Sequence, residues 1–177
     1  MPDARIRRAA AADLPVLTRL WQTAFGDPPE LIGAFYHRVP PQAAAWVVEV
    51  NGTVVTAAHL LGGRLHTADG TTLPCAYVYA ASTDPAQQGH GYASALMRRF
   101  AAEADANGCV LYTLPAEASL YAWYQSVMGT TQTARGTRLR IARAPDMQCP
   151  PVIERVSAQE YAALREQALR GRAHVEL

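Results

Sequence analysis

The chain has 177 residues, 50% of them hydrophobic, and a formal net charge of +1, a length that buries one substantial core and not two independent ones. Its 16 Lys plus Arg residues are all arginine, which excludes lysine-nucleophile and Schiff-base chemistry, and their scatter leaves no footprint for nucleic acid or an anionic membrane. Cys75, Cys109 and Cys149 lack metal or redox spacing, and no segment has the apolar run of a leader or membrane span, so a reduced, cytoplasmic protein without a metal is expected.

In chain order, residues 6–9 predict a short opening strand. Asp13 is a candidate cap and Pro15 a first-turn residue for a helix in which Leu14, Leu17, Leu20, Trp21 and Ala24 recur at helical spacing. Gly26-Asp27-Pro28-Pro29 breaks that helix. Residues 30–38 resume it with Leu31, Phe35 and Tyr36 on one side, and Pro40-Pro41 stops it, so a helical hairpin is expected.

Residues 46–50 and 53–60 are β-branched runs around Asn51-Gly52, which specifies a tight antiparallel hairpin. Residues 64–67 and the turn Asp69-Gly70 lead into 73–83, whose run 75–81 reads as a central strand. A loop over 84–90 follows, then a helix over 92–106 ended by Asn107-Gly108. A short buried strand over 109–114, a helix over 116–127 and a last strand over 137–142 complete the series. The order is α+β: a mixed, mostly antiparallel sheet flanked by helices, with one strand–helix–strand crossover.

The chemistry sits in the segment Gln88-Gly89-His90-Gly91-Tyr92-Ala93-Ser94, between a strand and a helix. Its glycines let backbone N–H groups converge at the head of the helix, a nest that suits an anion. Dinucleotide and P-loop chemistry do not fit, because there is no G-x-G-x-x-G with an acidic ribose partner and no Gly-Lys-Ser/Thr.

Gln88, Gly91 and Ala93 stand at the three diagnostic positions of Q/R-x-x-G-x-G/A, and in this the chain resembles the GNAT superfamily of N-acetyltransferases. Thr83-Asp84-Pro85 is similar to that family's strand exit, Leu96-Met97 to the start of its cofactor-supporting helix, and residues 20–27 to the first helix of many bacterial members. The resemblance implies a GNAT-like fold with a splayed strand pair and acetyl-CoA as cosubstrate. It implies pyrophosphate on Gln88, Gly89, His90, Gly91, Tyr92, Ala93 and Ser94. Pantetheine would then lie between Ala81, Ser82 and Thr83 on one side and residues 114–117, with Glu117, on the other.

By the same resemblance, an amine of a small molecule or peptide attacks the thioester directly while an N–H near Ala80 or Ala81 polarises the carbonyl. The proton for the departing thiolate would come from a tyrosine on the next helix, Tyr124 or, one turn back, Tyr121. Gly129 falls one residue later than the family spacing and no Phe follows it, so either the helix end is remodelled or Met128 takes the glycine position. The central strand carries no carboxylate, which leaves the base open, with water-linked Glu49 or His59 as guesses. His90 contacts pyrophosphate or merely occupies an exposed loop position. Cys75 and Cys109 read as inert core thiols. A non-catalytic acyl-CoA sensor that keeps only the cradle is the competing reading.

Residues 1–143 thus read as the acetyltransferase domain and 144–177 as a linker with a C-terminal helix. That helix opens on the capping-box pattern at Ser157 and Glu160 and either packs on the domain or exchanges with a second subunit as a homodimer.

Overall fold

In the computed structural model, which describes residues 4–132 and 157–176, the apolar alternation of the first half lays down the centre of a sheet. Its strands are β1 (Ala4–Arg8), β2 (Ala45–Val50), β3 (Thr53–His66), β4 (Thr72–Thr83), β5 (Val110–Thr113) and β6 (His174–Glu176). The order is β1-β2-β3-β4-β5, with β6 on β3. All pairings are antiparallel except β4 with β5, which is parallel and joined through a crossover helix. This is the mixed α+β architecture expected from the order of elements.

The β2–β3 hairpin closes where the sequence says it should. Asn51 and Gly52 both take positive φ, 49° and 79°, the left-handed pair that a two-residue turn matched to strand twist demands.

The sheet carries helices on both faces. On one lie α1 (Leu14–Phe25) and α2 (Pro29–Arg38), whose Leu17, Leu20, Trp21, Ile32 and Tyr36 pack on Val47, Val54 and Ala57. On the other lie α4 (Tyr92–Ala106) and α5 (Leu120–Met128), where Leu96, Met97, Phe100 and Tyr124 meet Trp46, Val48, Val55, Ala58 and Val78. Each fully buried aliphatic or aromatic side chain in these layers contributes about 1.5–3 kcal/mol. No helix among the described residues is long and apolar enough to cross a membrane.

Several boundaries differ from expectation. Pro41 opens a one-turn helix, α3 (Pro41–Ala44), because proline is tolerated at a first helical position as readily as it stops a preceding helix. β3 is one strand of 14 residues and not two segments, since β4 pairs with it as far as His66↔Thr72 and carries it across Gly62-Gly63. α5 starts at Leu120 and not at residue 116, because the preceding residues form turns in which Glu117 and Ala118 carbonyls accept from the Leu120 and Tyr121 amides.

Toward the C-terminus, α6 (Ala158–Leu169) is capped as its sequence suggests: Ser157 Oγ accepts from the Glu160 amide and Glu160 Oε2 accepts from the Ser157 amide. β6, which no local pattern announced, pairs Val175 with Leu65 on the edge of β3 that β2 leaves free beyond His59. The strand expected over 137–142 lies outside the described residues.

Candidate functional site

The site begins with an irregularity in β4. Tyr79 pairs with His59 and Ser82 with Ala57, so Ala80 and Ala81 together oppose Ala58, a β-bulge. Ala80 takes φ 47°, a left-handed conformation that a residue with a Cβ adopts only when its surroundings impose it. The bulge reverses the alternation: Tyr79 and Ala80 both pack on the α1–α2 side, while Ala81 turns to the α4–α5 side.

Next to the bulge the sheet opens. β4 and β5 pair in parallel only from Cys75↔Val110 to Val78↔Thr113, after which β4 continues to Thr83 beside β3 alone. A cleft of about 130 Å³ occupies the divergence, walled by Tyr79, Ala80 and Ala81 on one side and Thr113, Leu114 and Ala116 on the other. Tyr77 and Val78 of β4, Leu120 and Tyr124 of α5, and Trp21, Phe25 and Asp27 at and just after the end of α1 complete its lining.

A second cleft of about 360 Å³ is lined by Thr83, Gln87, Gln88, Gly89, Gly91, Tyr92, Ala93, Ser94 and Trp123. Gly89 and Gly91 have φ of 80° and 82°, conformations open to glycine without penalty. The first helical hydrogen bond of α4 runs from the Ala95 amide to the Gly91 carbonyl at 2.9 Å, so the Tyr92, Ala93 and Ser94 amides have no acceptor within the helix. No side chain caps this end of α4. Free amides, a helix dipole and a cavity together fit a diphosphate.

The strand exit that aims the turn is tied down by Asp84. Its amide donates to the Val55 carbonyl at 2.9 Å, Oδ1 accepts from the Ala86 amide at 3.0 Å, and Oδ2 accepts from Arg19 at 3.1 Å. Thr83 and Thr56 hydroxyls bond at 3.0 Å, and Ser82 is buried.

The model of the acetyltransferase (GNAT) domain matches residues 5–127. The chain belongs to the GNAT acetyltransferase family. A protein of Agrobacterium tumefaciens strain C58 assigned as an acetyltransferase shares 26% identity and superposes with a TM-score of 0.62 over 77% of this chain and 99% of its own. A Clostridium acetobutylicum protein assigned as an acetyltransferase and solved with acetyl-CoA shares the fold, at 16% identity and TM-score 0.60, over 77% of this chain and 96% of its own. A GCN5-related N-acetyltransferase of Kribbella flavida shares it at 21% identity and TM-score 0.53 over 69% of this chain but only 32% of its own longer one. No curated relative matches the chain.

Within this GNAT domain the two candidate tyrosines part company. Tyr124 is 8% exposed and lines the cleft beside Thr113; burial raises its pKa, with the Thr113 side chain pulling the other way. Tyr121 is 43% exposed and lines neither cleft. Gly129, with φ 68°, ends α5 and donates its amide to the Gln125 carbonyl at 2.9 Å. Met128 is the last helical residue, and Gly129 holds the left-handed C-cap position.

Both guesses for a base fall away from the cleft. Glu49 accepts from Arg7 Nη2 at 2.7 Å, and the same guanidinium holds Asp13, so this carboxylate stitches β2 to β1 and the start of α1. His59 is 2% exposed, among Trp21, Phe35, Tyr36 and Tyr79, and both ring nitrogens are engaged by Tyr36 and by the Tyr79 carbonyl.

His90 is used by the turn itself: Nδ1–H donates to the Gln88 and Gln87 carbonyls at 3.1 and 3.3 Å, and the ring stacks on Tyr92 at 5.7 Å. Glu117 lies in the turn after Leu114, accepts from Ser119 Oγ at 3.2 Å, and lines neither cleft. Cys75 and Cys109 have thiol pKa values raised by burial, the opposite of an activated nucleophile. Among the described residues no group of three or more His, Cys, Asp or Glu is placed to hold a metal ion. Asp27, which the sequence places in the helix break after residue 26 and does not single out as a site residue, stands in the lining of the first cleft. No local pattern marks a carboxylate as facing a cleft between elements far apart in the chain.

Proposed function

We propose that this GNAT domain moves an acetyl group from acetyl-CoA directly to a primary amine of a small molecule or peptide. One observation carries the reading: β4 and β5 separate after Val78 and Thr113, and β4 then leads through Thr83 to a glycine turn that lines a second cleft.

The residues fit the cosubstrate. Amides of Gly89 to Ser94 receive the pyrophosphate, with Gln88 at the turn's entry, and Ala81, Ser82 and Thr83 offer backbone groups to the pantetheine arm. The bound thioester supplies an activated acetyl carbon. Around it, the distorted backbone at Ala80 and Ala81 supplies an N–H for the carbonyl oxygen. Tyr124, a phenol protonated at neutral pH whose pKa burial moves further upward, supplies the proton that the thiolate takes as the C–S bond breaks and the C–N bond forms, and the amine nitrogen gives up its own proton to solvent water. We assign this activity to residues 1–143. Residues 144–177 we assign as a linker and C-terminal helix, and the pairing of β6 with β3 supports packing of residues 174–176 against the same sheet.

The test is thiol release from acetyl-CoA with a panel of primary amines, run beside calorimetric titration of acetyl-CoA. Turnover with at least one amine supports the reading. Tight binding with no turnover on any amine replaces it with the acyl-CoA sensor, and absence of binding removes both.

A further inference from the structure

We infer that the acceptor is a cationic amine and that the carboxylate of Asp27 receives its positive charge, an inference that rests on the acetyl-transfer reading above. Asp27 lies just after α1, and its side chain lines the cleft where β4 and β5 diverge. Among the described residues the lining contains no other carboxylate and no Arg or His. Among the described residues Asp27 has no ion-pair partner.

Its position is nevertheless built. The Trp21 indole N–H donates to Oδ2 at 2.8 Å, and Trp21 is itself locked in the buried aromatic cluster with Phe35, Tyr36 and Tyr79. That single neutral bond orients the carboxylate and leaves Oδ1 open. The field of Asp27 is felt across the cleft, since it adds to burial in raising the pKa of the Tyr79 phenol.

A half-buried carboxylate that accepts one neutral hydrogen bond keeps acceptor capacity for a ligand cation, and a charge-assisted bond to an ammonium is its natural complement. The neighbouring walls agree, because the lining includes the aromatic rings of Phe25, Tyr77 and Tyr79, whose π-faces attract a cation. An acidic acceptor would meet the carboxylate with no cation beside it. The cleft therefore selects by charge: alkylamines and polyamines enter as cations, the reacting nitrogen giving a proton to solvent water before it attacks, whereas anionic acceptors are turned away.

The experiment uses the whole chain, with steady-state acetylation of an alkyl diamine and of an aniline that is uncharged at neutral pH. In Asp27→Asn, which keeps an oxygen acceptor for the Trp21 indole, KM for the diamine is expected to rise at least about tenfold, with the acetyl-CoA dissociation constant unchanged. KM for the aniline stays put, and Asp27→Glu recovers part of the loss. A wild-type measurement guards against a misfolded variant: choline, which has no amine to acetylate, is expected to compete with the diamine at least about tenfold better than its uncharged isostere 3,3-dimethylbutan-1-ol. Equal inhibition by the two probes, or an unchanged diamine KM in a folded Asp27→Asn, overturns the inference while acetyl transfer stands. Failure of the wild type to bind acetyl-CoA overturns the transfer reading, and this inference with it.

Discussion

The Tyr36 hydroxyl donates to Nε2 of His59 over 2.9 Å, and this bond fixes the protonation of the imidazole. Nδ1 faces the Tyr79 carbonyl at 3.3 Å, an acceptor only, so Nδ1 carries the proton and Nε2 receives one. Burial lowers the pKa of His59 from 6.5 to about 4, the bond to the Tyr79 carbonyl opposing in part. The unfolded chain therefore takes up a proton below pH 6.5 that the folded chain refuses until about pH 4. The stability this contributes is fully present above pH 6.5 and is lost as pH falls through that window, on the order of 3 kcal/mol in all. Asp13 and Asp84, whose pKa values are lowered chiefly by hydrogen bonds from Arg7 and Arg19, lose their contributions at lower pH. Urea unfolding at pH 7 and pH 4 is expected to show a smaller difference in His59→Gln than in the wild type. Equal differences would reject the assignment.

Tyr124→Phe keeps the ring that packs beside Trp123 at 4.7 Å and deletes only the hydroxyl in the cleft. Loss of a positioned acid lowers kcat roughly 10²–10⁴-fold, with acetyl-CoA affinity unchanged. Tyr121→Phe, on the exposed side of α5, is expected to leave kcat near wild type. If kcat falls in Tyr121→Phe and not in Tyr124→Phe, the roles are reversed.

Gly91 caps α4 with φ 82°, and a Cβ placed there would meet nothing within 4 Å. The cost of Gly91→Ala is therefore conformational, roughly 1–2 kcal/mol, and relief of that strain would turn the amides away from their common point. Gly52→Ala, at a similar φ of 79° in the β2–β3 turn, bears the same kind of cost far from the cradle. Calorimetry should show weakened acetyl-CoA binding in Gly91→Ala and unaltered binding in Gly52→Ala, while thermal unfolding shifts in both.

Ala80 holds its left-handed φ without glycine's freedom. Ala80→Val adds β-branching at that conformation and is expected to cost about 1–3 kcal/mol, whereas Ala80→Gly should fold at least as stably. Acetyl transfer should fall in the valine variant by more than its unfolded fraction explains, because the bulge sets where the neighbouring N–H groups point. Wild-type stability and kcat in Ala80→Val would show that the bulge is incidental.

What the residues determined alone is what depends on near neighbours. Asn51-Gly52 specified the hairpin, Ser157 with Glu160 the start of α6, and Gln88 to Ala93 a glycine turn at a helix head, because each is settled by φ preferences and hydrogen bonds within a few residues. The tertiary structure decided what depends on strands meeting across the chain. The pairing of β4 with β3 placed the bulge at Ala80 and so turned Ala81 toward α4 and α5. The limit of β4–β5 pairing opened the cleft, and the packing of α1 against β4 brought Asp27 to its wall while burying His59 behind it. Alternation along a strand says which residues share a face, but one inserted residue reverses that parity, and only the partner strand determines where the insertion falls.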